Sequence, residues 1–232
     1  MKMMQKSMLA LAVLATTAMS VQAADVKVKV IGKIVPGTCT PTLGGGGTID
    51  FGSMSPNSLD ATDYTKLASR DVDFSIACTA ATKVAIKATS NRLNTLAGSN
   101  ENASGSGTSP VDLFGVSGIG AMGLGTDGTA KIGGYTIRIM NANLTADNNA
   151  VYGIFNNGSS WNAGVNGQNL IDSSFQRQLS WAGSNNSLAP VAFQNLNGKL
   201  AVEAYINKRS ALDLTKEINL DGEATIELVY LP

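Results

Sequence analysis

Asp71-Val72-Asp73-Phe74-Ser75-Ile76-Ala77-Cys78 alternates polar and apolar residues and ends in one of only two cysteines in the chain. Val72, Phe74, Ile76 and Cys78 share one face, the period-two signature of a strand with one side buried. Cys39, the other cysteine, lies 39 positions earlier and also closes a run with alternating apolar residues. Upstream of it, Val26, Val28 and Val30 face one way and Lys27 and Lys29 the other, which predicts a half-buried strand over 25–30. Gly32 and Pro36-Gly37 then interrupt or turn the chain just before Cys39.

Downstream the same pattern recurs. Thr48-Ile49-Asp50-Phe51-Gly52 follows the Gly44–Gly47 turn and predicts a short strand from its branched and aromatic content. Val84 and Ile86 mark another. Further strands are expected over 135–139, 151–155, 188–193, 200–206 and 224–231. Between Leu96 and Gly134 the sequence is rich in Gly, Ser, Asn and Thr, which predicts a long surface excursion holding short strands. With 25 glycines and only 15% charged residues, the chain reads as many short strands joined by turns and almost no helix. That combination indicates an all-β sandwich with long Gly/Ser/Asn-rich loops.

The first residues set the compartment. Lys2 and Lys6 precede an uncharged apolar run from Met8 to Met19, and Val21-Gln22-Ala23 supplies the small residues of a cleavage site. This predicts a signal peptide over 1–23, cut between Ala23 and Ala24. The apolar run is shorter than the roughly 20 residues of a membrane span, so no span is expected after cleavage. Export places Cys39 and Cys78 in an oxidising setting, where an even count normally means a bond; the alternative is a pair of buried free thiols. A bond would close a loop whose unfolded-state entropy is worth about 4 kcal/mol in the simple model. Of 17 basic and 17 acidic residues, the leader removes two lysines, leaving a formal charge of −2. Such a chain has no basic stripe to follow a nucleic-acid backbone.

Chemistry-bearing patterns are sparse. There is no histidine, which removes His-containing triads and most zinc sites. No serine stands in a Gly-x-Ser-x-Gly elbow. Gly118-Ile119-Gly120-Ala121-Met122-Gly123 matches the dinucleotide-binding glycine pattern, but Gly125, Gly128, Gly133 and Gly134 follow where the pyrophosphate-holding helix would have to be. No cofactor or metal is therefore expected. Asp60, Asp63, Asp71 and Asp73 are the carboxylates that could be imagined as a glycosidase pair. They read instead as loop and strand-edge solvation, and an enzyme is not expected.

Gly32 to Cys39, then Ile49-Asp50-Phe51-Gly52, then Phe74-Ser75-Ile76-Ala77-Cys78 together resemble the subunits of chaperone–usher fimbriae. Those proteins carry a Gly seven residues before the first Cys, a short strand ending in Gly, and a second Cys some way on. Pro36-Gly37-Thr38-Cys39-Thr40-Pro41, Gly133 to Ile139 and Gly222 to Leu231 are similar to the branch that holds β-fimbrial subunits and GltF-like periplasmic proteins. The resemblance implies an immunoglobulin-like (pilin-like) β-sandwich lacking one strand. A periplasmic chaperone would lend that strand first, and the N-terminal extension of a neighbouring subunit would replace it.

Carried onto this chain, the resemblance makes residues 24–29 an N-terminal extension and 30–232 a single sandwich domain. Val26, Val28 and Val30 become the candidate donor residues, and Ile226, Leu228 and Tyr230 the candidate groove and chaperone-contact strand. The extension is shorter than the family's usual one, and Tyr230 stands third from the end rather than next to last. The implied partners are a periplasmic chaperone, an outer-membrane usher and neighbouring fimbrial subunits, and the implied role is a surface fimbria contributing to cell adhesion. The same branch admits a soluble, self-complete periplasmic accessory or binding protein, in which Val26 to Val30 and Ile226 to Tyr230 are ordinary strands.

Overall fold

The computed structural model describes residues 27–33, 37–164 and 168–232. The chain divides into two units, Met1–Val35 and Pro36–Pro232. Of the first unit, residues 27–33 form no strand, and Val28, Val30 and Ile31 are exposed to 79% or more. The strand expected over 25–30 is therefore not formed in its described part. The alternation shows what the segment could pair with, but a strand needs a neighbouring edge to satisfy its backbone. Ala23, Ala24, Val26 and the predicted leader lie outside the described residues.

Eleven strands of the second unit build the sandwich. They are β1 (Cys39–Leu43), β2 (Arg70–Thr82), β3 (Val84–Ser90), β4 (Ser106–Thr108), β5 (Gly120–Gly123) and β6 (Gly133–Ile139), followed by β7 (Tyr152–Asn156), β8 (Trp161–Ala163), β9 (Gln178–Ala182), β10 (Phe193–Ile206) and β11 (Ala224–Tyr230). One sheet runs β1-β2-β10-β6-β5-β4 and the other β8-β7-β9-β3-β11. Two-residue ladders, such as Thr65–Lys66 on β10, extend them. Helix among the described residues is limited to three short 3-10 turns, at Gly44–Gly47, Pro56–Ser58 and Arg209–Ala211.

The alternation read from the sequence is the packing rule here. Phe74 and Ile76 of β2 are buried, with Val72 and Cys78 packed at the margin of the same core. Across β10 and β6, Leu200 pairs with Ile139 and Val202 with Ile137, so their side chains meet the other sheet in register. Val84 and Ile86 of β3 and Trp181 of β9 complete the core from the second sheet. Trp181 meets Phe193 edge to face with ring centroids 5.7 Å apart. Burying each such large side chain stabilises the fold by roughly 1.5–3 kcal/mol.

Three sequence expectations need correction. Among the described residues Thr48 to Gly52 pairs with no strand, and Gly52 turns the chain with a positive φ of 71°. The segment before Phe193 is irregular, and β10 begins only there. Residues 96–134 are more than a solvated excursion, because Leu96, Leu113, Ile119 and Ala121 pack with Tyr205 into a second, smaller core. That core covers the face of the first sheet turned away from the sandwich. Glu203 is buried on it and accepts the Phe114 N–H, while Arg138 stacks on the Phe114 ring.

The glycine motif at 118–123 has a mechanical reading. Gly118 takes a positive φ of 67° in a turn, and Gly120 opens strand β5 rather than a helix. A Cβ on Gly120 would come within 2.7 Å of the Asp172 backbone. Close chain approach accounts for the absent side chain.

Candidate functional site

Cys39 and Cys78 occupy directly opposed positions on β1 and β2 and are joined by a disulfide. The bond ties the outermost strand of the first sheet to its neighbour. In the second sheet the outermost strand is β11, hydrogen-bonded to β3 on one side only, with Ile226 opposite Ala88, Leu228 opposite Ile86 and Tyr230 opposite Val84. Among the described residues no strand pairs with its other side.

Beside that free edge lies an open groove of about 960 Å³. Its floor is made by Val72 of β2, Leu200 and Val202 of β10, and Tyr135 and Ile137 of β6. One rim is the segment Thr48–Met54, turned at Gly52, which contributes Ile49, Phe51 and Met54; the other runs from Leu212 to Ile226 and contributes Leu212, Leu214, Ile218, Leu220, Ala224 and Ile226. Most of these rim side chains are only partly buried against the core. Among the described residues the first rim has no backbone partner beyond its flanking turns, in which Thr48 N–H donates to Gly45 and Gly52 N–H to the Asp50 carboxylate.

The groove thus combines an apolar floor with one rim, Thr48–Met54, whose backbone has no sheet partner among the described residues; in the other, the Asp221 N–H donates to the Leu124 carbonyl and Ala224–Ile226 pair with β3. Exposed N–H and C=O groups next to apolar surface form a template for a further strand. Covering a half-buried Ile, Leu or Phe side chain would release about 1 kcal/mol each.

Charges sit at the ends of the groove. Arg92 bonds Asp221 at 2.8 Å and Glu223 at 2.7 Å, which holds the Asp221 carboxyl below its ordinary range and raises the Arg92 guanidinium. Lys216 bonds Asp127 at 2.7 Å. Tyr135 turns its ring into the floor, but its hydroxyl is buried with no partner among the described residues, and burial raises its pKa. A Cβ on Gly222 would meet the Tyr135 ring at 2.9 Å, so this glycine lets the second rim lie against the floor.

The predicted site residues are distributed as follows. Ile226 lines the groove; Leu228 packs into the core margin behind it. Tyr230 is half exposed, and its hydroxyl oxygen accepts the Cys39 N–H at 2.8 Å. Val28 and Val30 are exposed. Sequence reading did not assign Met54, Leu212, Leu214, Ile218 or Leu220 to the site. The alternations Leu212-x-Leu214 and Ile218-x-Leu220 were the available signal, but both are interrupted by turn residues.

The four carboxylates considered as a glycosidase pair sit in turns and on the strand edge. Asp60 accepts from the Thr62 and Asp63 N–H groups at 2.9 Å each, bonds that hold its carboxyl below the ordinary range. Asp71 and Asp73 both face Lys199, at 2.8 and 3.5 Å. No helix among the described residues is long and apolar enough to cross a membrane.

A family model described as "Protein of unknown function (DUF1120)" matches residues 28–136. The chain is 28% identical to Protein GltF of Escherichia coli (strain K12) over 247 aligned positions, spanning 96% of this chain and 94% of that one. It is 30% identical to Uncharacterized protein YhcF of the same organism over 233 positions, spanning 92% and 94%. At 30% identity along 92% of this chain, the protein belongs to one family with YhcF, and its residues 28–136 match the DUF1120 model.

Proposed function

We propose that this chain is an exported, non-enzymatic accessory or binding protein of the GltF and YhcF type, which works by receiving an extended apolar segment of another polypeptide. The carrying observation is the groove beside β11, with its apolar floor and, among the described residues, no strand paired with the rim Thr48–Met54 or with the outer side of β11. An added strand would gain affinity from backbone hydrogen bonds and register from pockets for alternate side chains. The leader pattern and the Cys39–Cys78 bond favour the periplasm as the place of action.

The test is thermal unfolding of the exported chain, disulfide intact, alone and with peptides of alternating Val and polar residues. A strand-accepting protein unfolds at higher temperature as peptide is added, in proportion to the logarithm of peptide concentration. A monomer with a high, cooperative transition that no such peptide moves would instead be self-complete.

A second reading, a fimbrial subunit assembled with a chaperone and an usher, is favoured by one observation of its own. Val28 and Val30 are exposed to 85% and 91% on a segment without strand pairing, as a donor awaiting an acceptor would be. Deleting Ala24 to Lys29 tests it: loss of polymers with retention of the folded body supports the donor role, and unchanged polymers or a chain that never polymerises removes it.

A further inference from the structure

Residues 217–220, Glu-Ile-Asn-Leu, line two hollows at once: the groove of about 960 Å³ and a second, open pocket of about 430 Å³ shared with Thr126, Asp127 and Asp221. The segment is a partition with open space on either side of it. Among the described residues, the chain makes no backbone hydrogen bond between the Leu212 N–H, bonded to the Arg209 carbonyl, and the Asp221 N–H, which donates to the Leu124 carbonyl at 3.0 Å. Ile218 and Leu220 stand at alternate positions and pack against the core from within the groove, where both stay partly exposed. They cover apolar surface that an incoming segment would otherwise meet. Charge pins the two ends: Lys216 bonds Asp127 at 2.7 Å, and Arg92 holds Asp221 at 2.8 Å and Glu223 at 2.7 Å. The side chains of Lys216, Asp221 and Glu223 are more than half exposed, so water competes for each of these pairs.

We infer that residues 216–220 are the groove's own displaceable occupant, a strap that an incoming segment must push aside and that the Lys216–Asp127 and Arg92–Asp221 pairs hold in place. This rests on the strand-accepting reading above and adds the regulation of that site. A segment without backbone partners and with open space on two sides gives up little on leaving: the contacts of Ile218 and Leu220 and the ion pairs at its ends. Such segments open far more readily than the sheets beside them. While the strap is down, only molecules with it displaced can bind, and the apparent affinity is reduced by that fraction. Breaking a pair at either end therefore loosens the strap and strengthens binding by the same factor. An exposed ion pair shifts such an equilibrium by up to about fivefold.

The experiment is native-state cleavage of the full exported chain, disulfide intact, by thermolysin, which cuts before large apolar residues and so reads the exposure of Ile218 and Leu220. Fragments are followed by mass, without and with the peptide Thr-Val-Ser-Val-Thr-Val-Ser at concentrations that raise the unfolding temperature. Bound peptide is expected to speed cleavage before Ile218 and Leu220 about tenfold, because cleavage tracks the population of the open form. Unchanged or slower cleavage in the bound state means that the strap stays in place as a rim, and overturns the inference. Asp127→Asn is expected to speed cleavage of the free chain there by about two- to fivefold and to tighten peptide binding by the same factor. Lys216→Gln breaks the same pair from its other side and serves if the first variant fails to fold. Asp71→Asn, which removes a comparably exposed pair with Lys199, should change neither quantity; a matching rise would trace the effect to overall stability and overturn the latch. Latch variants that are cut no faster, or cut faster without binding more tightly, overturn it as well. If the peptide never raises the unfolding temperature, the strand-accepting reading falls and the strap's role with it. A peptide that binds while slowing cleavage leaves that reading standing and removes only the strap.

Discussion

Cys39 and Cys78 stand directly opposite each other on β1 and β2, and the bond between them locks the edge strand whose N–H is also held by Tyr230. Two constraints converge on one residue at the margin of the sandwich. Replacing both cysteines by serine is expected to lower the unfolding free energy by about 2–4 kcal/mol, read from urea denaturation. Because the bond sits at an edge, the double variant should keep the β-sheet signature of the wild type; a random-coil spectrum in water would show that the edge nucleates the fold.

The core and the groove should respond differently to substitution. Phe74 is 2% exposed between the sheets, and Phe74→Ala is expected to cost about 3–5 kcal/mol through lost burial and the cavity left behind. Ile226 is only partly buried on the groove rim, and Ile226→Asp should cost the free chain distinctly less while abolishing the peptide-induced rise in unfolding temperature. Equal destabilisation by the two substitutions would mean that the rim is core and the groove is not a binding surface.

Glu203 is buried on the outer face of the first sheet, where its carboxylate accepts the Phe114 N–H and lies 3.7 Å from Lys66. Glu203→Ala leaves that N–H buried without an acceptor and should cost about 1–3 kcal/mol. The loss should be local: hydrogen exchange is expected to speed up in residues 110–117 before it does in β2 or β3. Uniform acceleration throughout would contradict a separate small core.

Acid should weaken the fold through its surface carboxylates. Asp71, bonded to Lys199, and Asp221, bonded to Arg92, both have carboxyl pKa values below the ordinary 3.8. A carboxyl lowered in the folded state contributes stability that is fully present above its unfolded value and is lost as pH falls through the folded one. Urea midpoints should therefore hold level from neutrality to about pH 5 and fall below about pH 4. Asp221→Asn should flatten part of that fall; an identical acid limb in the variant would show that the Arg92 pair carries none of it.

How much of this was legible beforehand depends on the range of the interaction. The alternation at Val72, Phe74 and Ile76 foretold β2 because a strand with one buried face needs period two whatever its neighbours are. Gln178 to Ala182 escaped notice, since it carries polar residues at both Gln178 and Ser180, although Ser180 is buried with its hydroxyl donating to the Val84 carbonyl. Thr48 to Gly52 looked like a strand, yet it turns at Gly52 and has no strand partner among the described residues. Residues 96–134 looked solvated because Leu96, Leu113 and Ile119 are scattered among glycines, and only their convergence on Tyr205 makes them a core.

The sequence by itself determined the class of the molecule. Its leader pattern led to the expectation of an oxidising compartment, its two cysteines allowed one pairing, and its period-two runs required sheets. Those are local or compositional properties, and they need no knowledge of which strand meets which. Tertiary structure alone decided that no described strand pairs with the outer side of β11, that Ile49, Phe51, Ile218 and Leu220 share one apolar groove, and that Tyr230 reaches Cys39 across 191 positions. Pairing between distant segments depends on register and on which edges are left over when all other strands have found neighbours, and no single stretch of residues records that.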